Sequence, residues 1–141
     1  MRILIYSFLL FLPVFLNAQS LSYSKLNDYL AKQDYNYIEV DLNSKGFKYV
    51  KTTDEPNYYQ KGYSKTSIEG KENISIVRND EMFSLVYQPT KEAFNSLTQI
   101  ILTLDFVYSY SYKDIKYYEN GNCRVGVNSE KRILSFFVNL K

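Results

Sequence analysis

The sequence predicts an α+β fold: pseudo-duplicated helix-plus-four-strand units forming one curved antiparallel sheet, with two long helices on one face. Three observations lead there. The apolar period changes from helical to alternating twice along the chain. Turn-forming clusters punctuate the alternating stretches at short intervals. The two halves also align without gaps, Leu42-Asn43-Ser44-Lys45-Gly46-Phe47-Lys48-Tyr49 against Ile101-Leu102-Thr103-Leu104-Asp105-Phe106-Val107-Tyr108, at an offset of 59 residues.

The chain opens with Met1-Arg2, then an almost uninterrupted apolar run from Ile3 to Leu16, then Leu16-Asn17-Ala18 before Gln19. A positive start, an apolar middle and a small residue at the exit are the parts of a secretory signal peptide, expected over residues 1–18. The run is shorter than the roughly 20 residues a bilayer-spanning helix needs, and Pro13 interrupts it. A single domain over residues 19–141 is expected, without a membrane span once the leader is removed, in the periplasm or outside the cell. Its halves fall at about 24–89 and 90–140.

Ser24 to Lys32 reads as a short helix. Asp34 to Lys45 reads as a longer one, capped by Asp34, closed by Gly46, with Tyr35, Ile38 and Leu42 on one face. Strands follow at Phe47–Lys51, Tyr58–Tyr63, Asn73–Val77 and Met82–Gln88, separated by Asp54-Glu55-Pro56, Glu69-Gly70-Lys71 and Asn79-Asp80-Glu81. Pro89 stops the fourth strand. Thr90 caps a second long helix with Phe94, Leu97, Ile101 and Leu104 in helical phase. Strands then return at Phe106–Tyr112, Ile115–Glu119, Cys123–Val127 and Ile133–Leu140, and Asn120-Gly121 is the strongest hairpin signal of the chain. Two helical stripes need an apolar floor, which Ile74, Ile76, Phe83, Leu85, Val125, Val127, Leu134, Phe136 and Val138 supply from one sheet face. The other face is left in water.

This order of elements resembles that of uncharacterised exported bacterial proteins in which a long helix ends as in Leu42-Asn43-Ser44-Lys45-Gly46-Phe47, short strands follow, and a second helix ends near Leu104-Asp105-Phe106 before a second set of strands. Paired helix-plus-four-strand units are also similar in architecture to the β-lactamase inhibitor protein family and, at the level of fold, to the TATA-binding protein. The resemblance implies that the open sheet face is where a partner sits. It implies no catalytic motif.

Composition narrows the chemistry. There is no histidine, one cysteine and no tryptophan, while tyrosine reaches 15. The absence of histidine removes Ser-His and Cys-His nucleophiles and imidazole metal ligands. Lone Cys123 cannot form a disulfide within the chain and, in an alternating strand, reads as a buried inert thiol. The acids Asp54, Glu55, Asp80, Glu81, Asp114 and Glu130 fall mostly in turns. No Gly-rich phosphate loop or calcium loop occurs. The net charge of +2, or +1 without Arg2, gives no support to a nucleic-acid partner. No cofactor, no metal and no enzymatic activity are expected.

Tyrosine remains. Phe106, Tyr108, Tyr110 and Tyr112 occupy alternate positions, so a regular strand would line them on one face. Tyr117, with Tyr49, Tyr59 and Tyr63 from the other half, would extend that stripe, interspersed with Lys48, Lys51, Lys61 and Lys116. Tyrosine combines a large rigid surface with a polar tip, which suits protein interfaces and also stacking on sugar rings. The leading expectation is a non-enzymatic exported protein that holds a protein partner, inhibitor- or immunity-like. A carbohydrate or cell-wall-polymer binder, or an accessory subunit of an envelope assembly, are the alternatives.

Overall fold

The computed structural model describes residues 19–141; the expected signal peptide lies outside them. Among these described residues three helices, α1 (Tyr23–Lys32), α2 (Tyr35–Ser44) and α3 (Lys91–Thr103), accompany eight strands. The strands are β1 (Lys48–Glu55), β2 (Tyr58–Ser67), β3 (Gly70–Asn79), β4 (Met82–Gln88), β5 (Val107–Tyr112), β6 (Ile115–Asn120), β7 (Cys123–Asn128) and β8 (Ile133–Asn139). They form one antiparallel sheet in the order β1-β2-β3-β4-β8-β7-β6-β5. Two four-strand meanders therefore join where β4 meets β8, leaving β1 and β5 as the outer edges.

The helix ends follow local chemistry. Ser22, Asp34 and Thr90 each accept a hydrogen bond from the backbone N–H three residues on, meeting one orphan donor per helix. At the end of α2, Gly46 adopts φ +88°, Phe47 N–H donates to the Leu42 carbonyl and Gly46 N–H to that of Asn43. That pair of bonds is a Schellman closure, which favours glycine at its left-handed position. α3 ends without one: Asp105 stands where Gly46 does, and Phe106 N–H turns back to Leu104.

The layer on the sheet differs from the two-helix expectation. α1, read from sequence as a minor element, packs over the centre of the sheet against β4 and β8 and buries Leu26, Tyr29 and Leu30. The expected floor is present. Ile74, Ile76, Phe83, Leu85, Val125, Val127, Leu134 and Phe136 are all buried, with Val138 partly so. They meet Ile38 and Leu42 of α2 and Phe94, Leu97 and Ile101 of α3 in one core.

Turn chemistry needs one revision. Asn120 pairs with Cys123, so the β6–β7 turn is Gly121-Asn122 and not Asn120-Gly121, with Gly121 at φ +49°. A glycine at the first central position satisfies a two-residue hairpin without a second positive φ, which is why the one-residue shift costs nothing.

Candidate interaction surface

The register of the two edge strands decides which tyrosines meet. In β5, Tyr108 pairs with Tyr118, but Tyr110 pairs with Tyr117 and Tyr112 with Ile115. One extra residue, Ser109, lies between these registers as a β-bulge. A bulge of one residue reverses the alternation, so side chains on either side of it point to opposite faces. Tyr118 is in line with Val125 and Phe136, on the helix-covered face; Tyr117 is in line with Gly126 and Ser135, on the open face. Tyr108 therefore stands on the helix side, its ring 5.9 Å from that of Tyr118. Tyr110 and Tyr112 stand on the open side.

β1 behaves alike. Tyr49 pairs with Tyr63 and Lys51 with Gly62, so the bulge is at Val50. Tyr49, Tyr59 and Tyr63 consequently belong to the helix-covered face. Tyr63 is buried in the core, Tyr59 packs edge-on against Tyr35 of α2 at 5.1 Å, and Tyr49 lies at the exposed margin beside Tyr63. The continuous stripe of seven tyrosines expected from alternation is thus corrected to two groups on opposite faces. Of the interspersed lysines, Lys48 and Lys51 are on the open face, whereas Lys61 and Lys116 are on the other. Lys61 is held there by Glu39 of α2 at 2.7 Å.

On the open face the structure builds a smaller, denser cluster. Tyr110 and Tyr117 stack with ring centroids 4.7 Å apart and planes 19° from parallel. Phe137 of β8 stands 6.5 Å from Tyr117. Gly126 of β7 makes this arrangement possible: a Cβ there would lie 3.0 Å from Tyr117 Cε1. The bare backbone lets the ring lean across the strand, as aromatic side chains do over cross-strand glycines. Arg124, next to Gly126, donates to Glu119 at 2.8 Å and lies 5.8 Å over the Tyr110 ring. Burial, and secondarily the neighbouring Tyr110, raise the Tyr117 phenol above its ordinary pKa, so the Tyr117 ring stays neutral over the physiological range. Tyr112 extends the cluster toward the β5–β6 turn.

Sequence reasoning missed Phe137, Arg124, Glu119 and Gly126. The signal for Phe137 was present, since Phe136 as a floor residue sends its neighbour to the opposite face.

Titratable groups also meet inside the protein. Lys65 of β2 and Glu72 of β3 are register partners on the helix-covered face and both are buried. Lys65 Nζ is 3.2 Å from Glu72 Oε1, donates to the Gln19 carbonyl at 2.9 Å and lies 4.9 Å over the Phe47 ring. Tyr87 donates to the other carboxylate oxygen of Glu72 and accepts from Leu21 N–H at 3.0 Å. The side chains of Lys65, Glu72 and Tyr87 are buried, and their bonds tie the Gln19 carbonyl and the Leu21 N–H to the sheet. Cys123 is half-buried at the far end, its thiol pushed up to about 11 by burial. Among the described residues no group of His, Cys, Asp and Glu is placed to hold a metal ion, and no helix is long and apolar enough to cross a membrane. No family model, curated protein or solved structure matches the chain.

Proposed function

We propose that the protein is an exported, non-enzymatic binding protein that holds a protein partner on the β5–β8 half of its open sheet face. One observation carries this reading: Tyr110 and Tyr117, stacked and backed by Phe137 and Arg124, stand on the face that no helix covers among the described residues. A solvated sheet face is ordinarily polar. Clustered tyrosine, phenylalanine and arginine are what binding hot spots are made of. The leader-like residues 1–18 support export and a periplasmic or extracellular site of action.

The same reading takes the domain as a duplicated helix-plus-four-strand unit. In its favour, the strand order is symmetric about the β4–β8 junction, and the two edge-strand bulges, at Val50 and Ser109, fall at the same 59-residue offset as the aligned segments.

The test is a double substitution, Tyr110→Ser with Tyr117→Ser, compared with the parent protein in crosslinking to envelope extracts and in pelleting with insoluble peptidoglycan or polysaccharide. A crosslinked protein lost in the variant supports the proposal. Pelleting lost in the variant transfers the site to a carbohydrate, for which stacked rings are also suited. If the variant matches the parent in both assays, the face is not a binding site.

A further inference from the structure

Residues 19–21 belong to no helix or strand, yet they are fastened to the sheet ahead of α1. The Gln19 carbonyl accepts from buried Lys65 Nζ at 2.9 Å, Leu21 N–H donates to the Tyr87 hydroxyl at 3.0 Å, and the Leu21 side chain is buried. The tie between Lys65 and Gln19 bears on where a leader can be removed. Cleavage after Ala18, the small residue, keeps Gln19 and with it that tie. Cleavage one residue further on deletes an acceptor of a buried ammonium.

The residue left at the new N-terminus is a glutamine. Its α-nitrogen and its own side-chain Cδ are spaced to close a five-membered ring, an intramolecular reaction that needs no encounter between separate reactants. The structure leaves the reacting atoms open. Gln19 is exposed, and its side-chain amide has no hydrogen-bond partner among the described residues. The carbonyl that Lys65 holds takes no part in the ring closure.

Charge favours the closed form. Covalent geometry keeps the Gln19 nitrogen within about 3.6 Å of its own carbonyl oxygen, and so within about 6.5 Å of Lys65 Nζ. An open N-terminus would set a second ammonium beside a pair whose one carboxylate, Glu72, already faces Lys65 at 3.2 Å. The clefts flanking Gln19 add Glu69 and Glu92 on one side and Lys25 and Lys45 on the other, equal in number and opposite in sign. A lactam carries no charge and retains the carbonyl to which Lys65 donates.

We propose that Gln19 is the first residue of the exported protein and is converted to pyroglutamate, so that the chain starts with a neutral ring fastened to the sheet through Lys65. In this step the α-nitrogen attacks Cδ of the same residue. The N–Cδ bond forms, the Cδ–Nε2 bond breaks, and Nε2 leaves as ammonia with one proton from the amine. Nothing is oxidised or reduced. The ring denies aminopeptidases the free amine they require. The inference rests on the export reading above, and its test separates the two.

The full chain, residues 1–141, is expressed in an exporting bacterium and recovered from the envelope or the medium. Its intact mass is expected to equal that of residues 19–141 less one ammonia. Stepwise chemical degradation from the N-terminus should fail until pyroglutamyl aminopeptidase has removed the ring from the unfolded chain. Gln19→Ala, at an exposed position, should be cut at the same bond, show the full mass of its residues and degrade without the enzyme. Residues 19–141 at full mass with a free Gln19 amine overturn the proposal and leave export standing, as does a chain cut at another bond. A chain that keeps residues 1–18 overturns both.

Discussion

Lys65→Met is the most informative single substitution for the fold. It deletes the ammonium 3.2 Å from Glu72 Oε1, the hydrogen bond to the Gln19 carbonyl and the cation over the Phe47 ring, while approximately conserving side-chain volume. Glu72 would remain fully buried with Tyr87 as its one hydrogen-bond donor. Removing one partner of a buried pair costs about 3–5 kcal/mol because the remaining charge is uncompensated, whereas an exposed pair is worth at most about 1 kcal/mol. Against a domain stability of roughly 5–15 kcal/mol this is a large fraction, a fall in Tm of about 10–20 °C for a chain of this size. Urea denaturation with an unchanged m-value would measure it. Adding Glu72→Gln should recover most of the loss, since the amide oxygen still accepts from Tyr87 and no charge stays buried. A loss below about 1 kcal/mol for Lys65→Met would refute the claim that the pair is desolvated. Failure of the second change to rescue would show that packing, not charge, sets the cost.

Other consequences are simpler to check. Gly126→Val should drive the Tyr117 ring off β7, since even a Cβ would sit 3.0 Å from it; a loss of about 1–3 kcal/mol and a changed near-UV tyrosine spectrum are expected. Gly46→Ala, at φ +88°, should cost about 1 kcal/mol or more in thermal unfolding through strain alone, because the nearest side-chain atom is 3.6 Å away. Cys123, raised from 9.0 to about 11, should be alkylated in the folded protein about a hundredfold more slowly near pH 8 than in urea, with the gap closing as pH rises through about 11. By the same shift, the thiol favours folding below pH 9 and loses that contribution as pH climbs through about 11.

How much of this could be read from the chain depends on what sets each feature. The floor residues were legible because Ile74, Ile76, Leu134 and Phe136 alternate without interruption, so burial on one face dictates their phase. The Asp34 and Thr90 caps were legible because their side chains act on the backbone three residues away. The bulges at Val50 and Ser109 were not. Neither is marked by glycine or proline, and a bulge is fixed by the register of the partner strand, which is non-local. One inserted residue in β5 was enough to separate Tyr108 from Tyr110 and Tyr112. The Lys65–Glu72–Tyr87 network escaped for a related reason, since it needs the registers of β2, β3 and β4 together.

The two halves of the sheet use their helix-covered faces alike and their open faces differently. On the covered side both present aliphatic and aromatic residues to the helices, as packing demands. On the open side β1–β3 present mainly Lys48, Lys51, Gln60, Ser64, Asn73 and Ser75, the polar set that solvation favours, with Tyr58 and Val77 among them. β5–β8 instead present Tyr110, Tyr112, Tyr117, Ile115 and Phe137 at the equivalent level of the sheet. Core packing does not require that second set, because the helices lie on the other side. Nor does strand propensity, because the first half forms equally regular strands without it. An aromatic surface that neither packing nor propensity requires, beside an edge that carries no protecting charge, is best accounted for by what it contacts outside the chain.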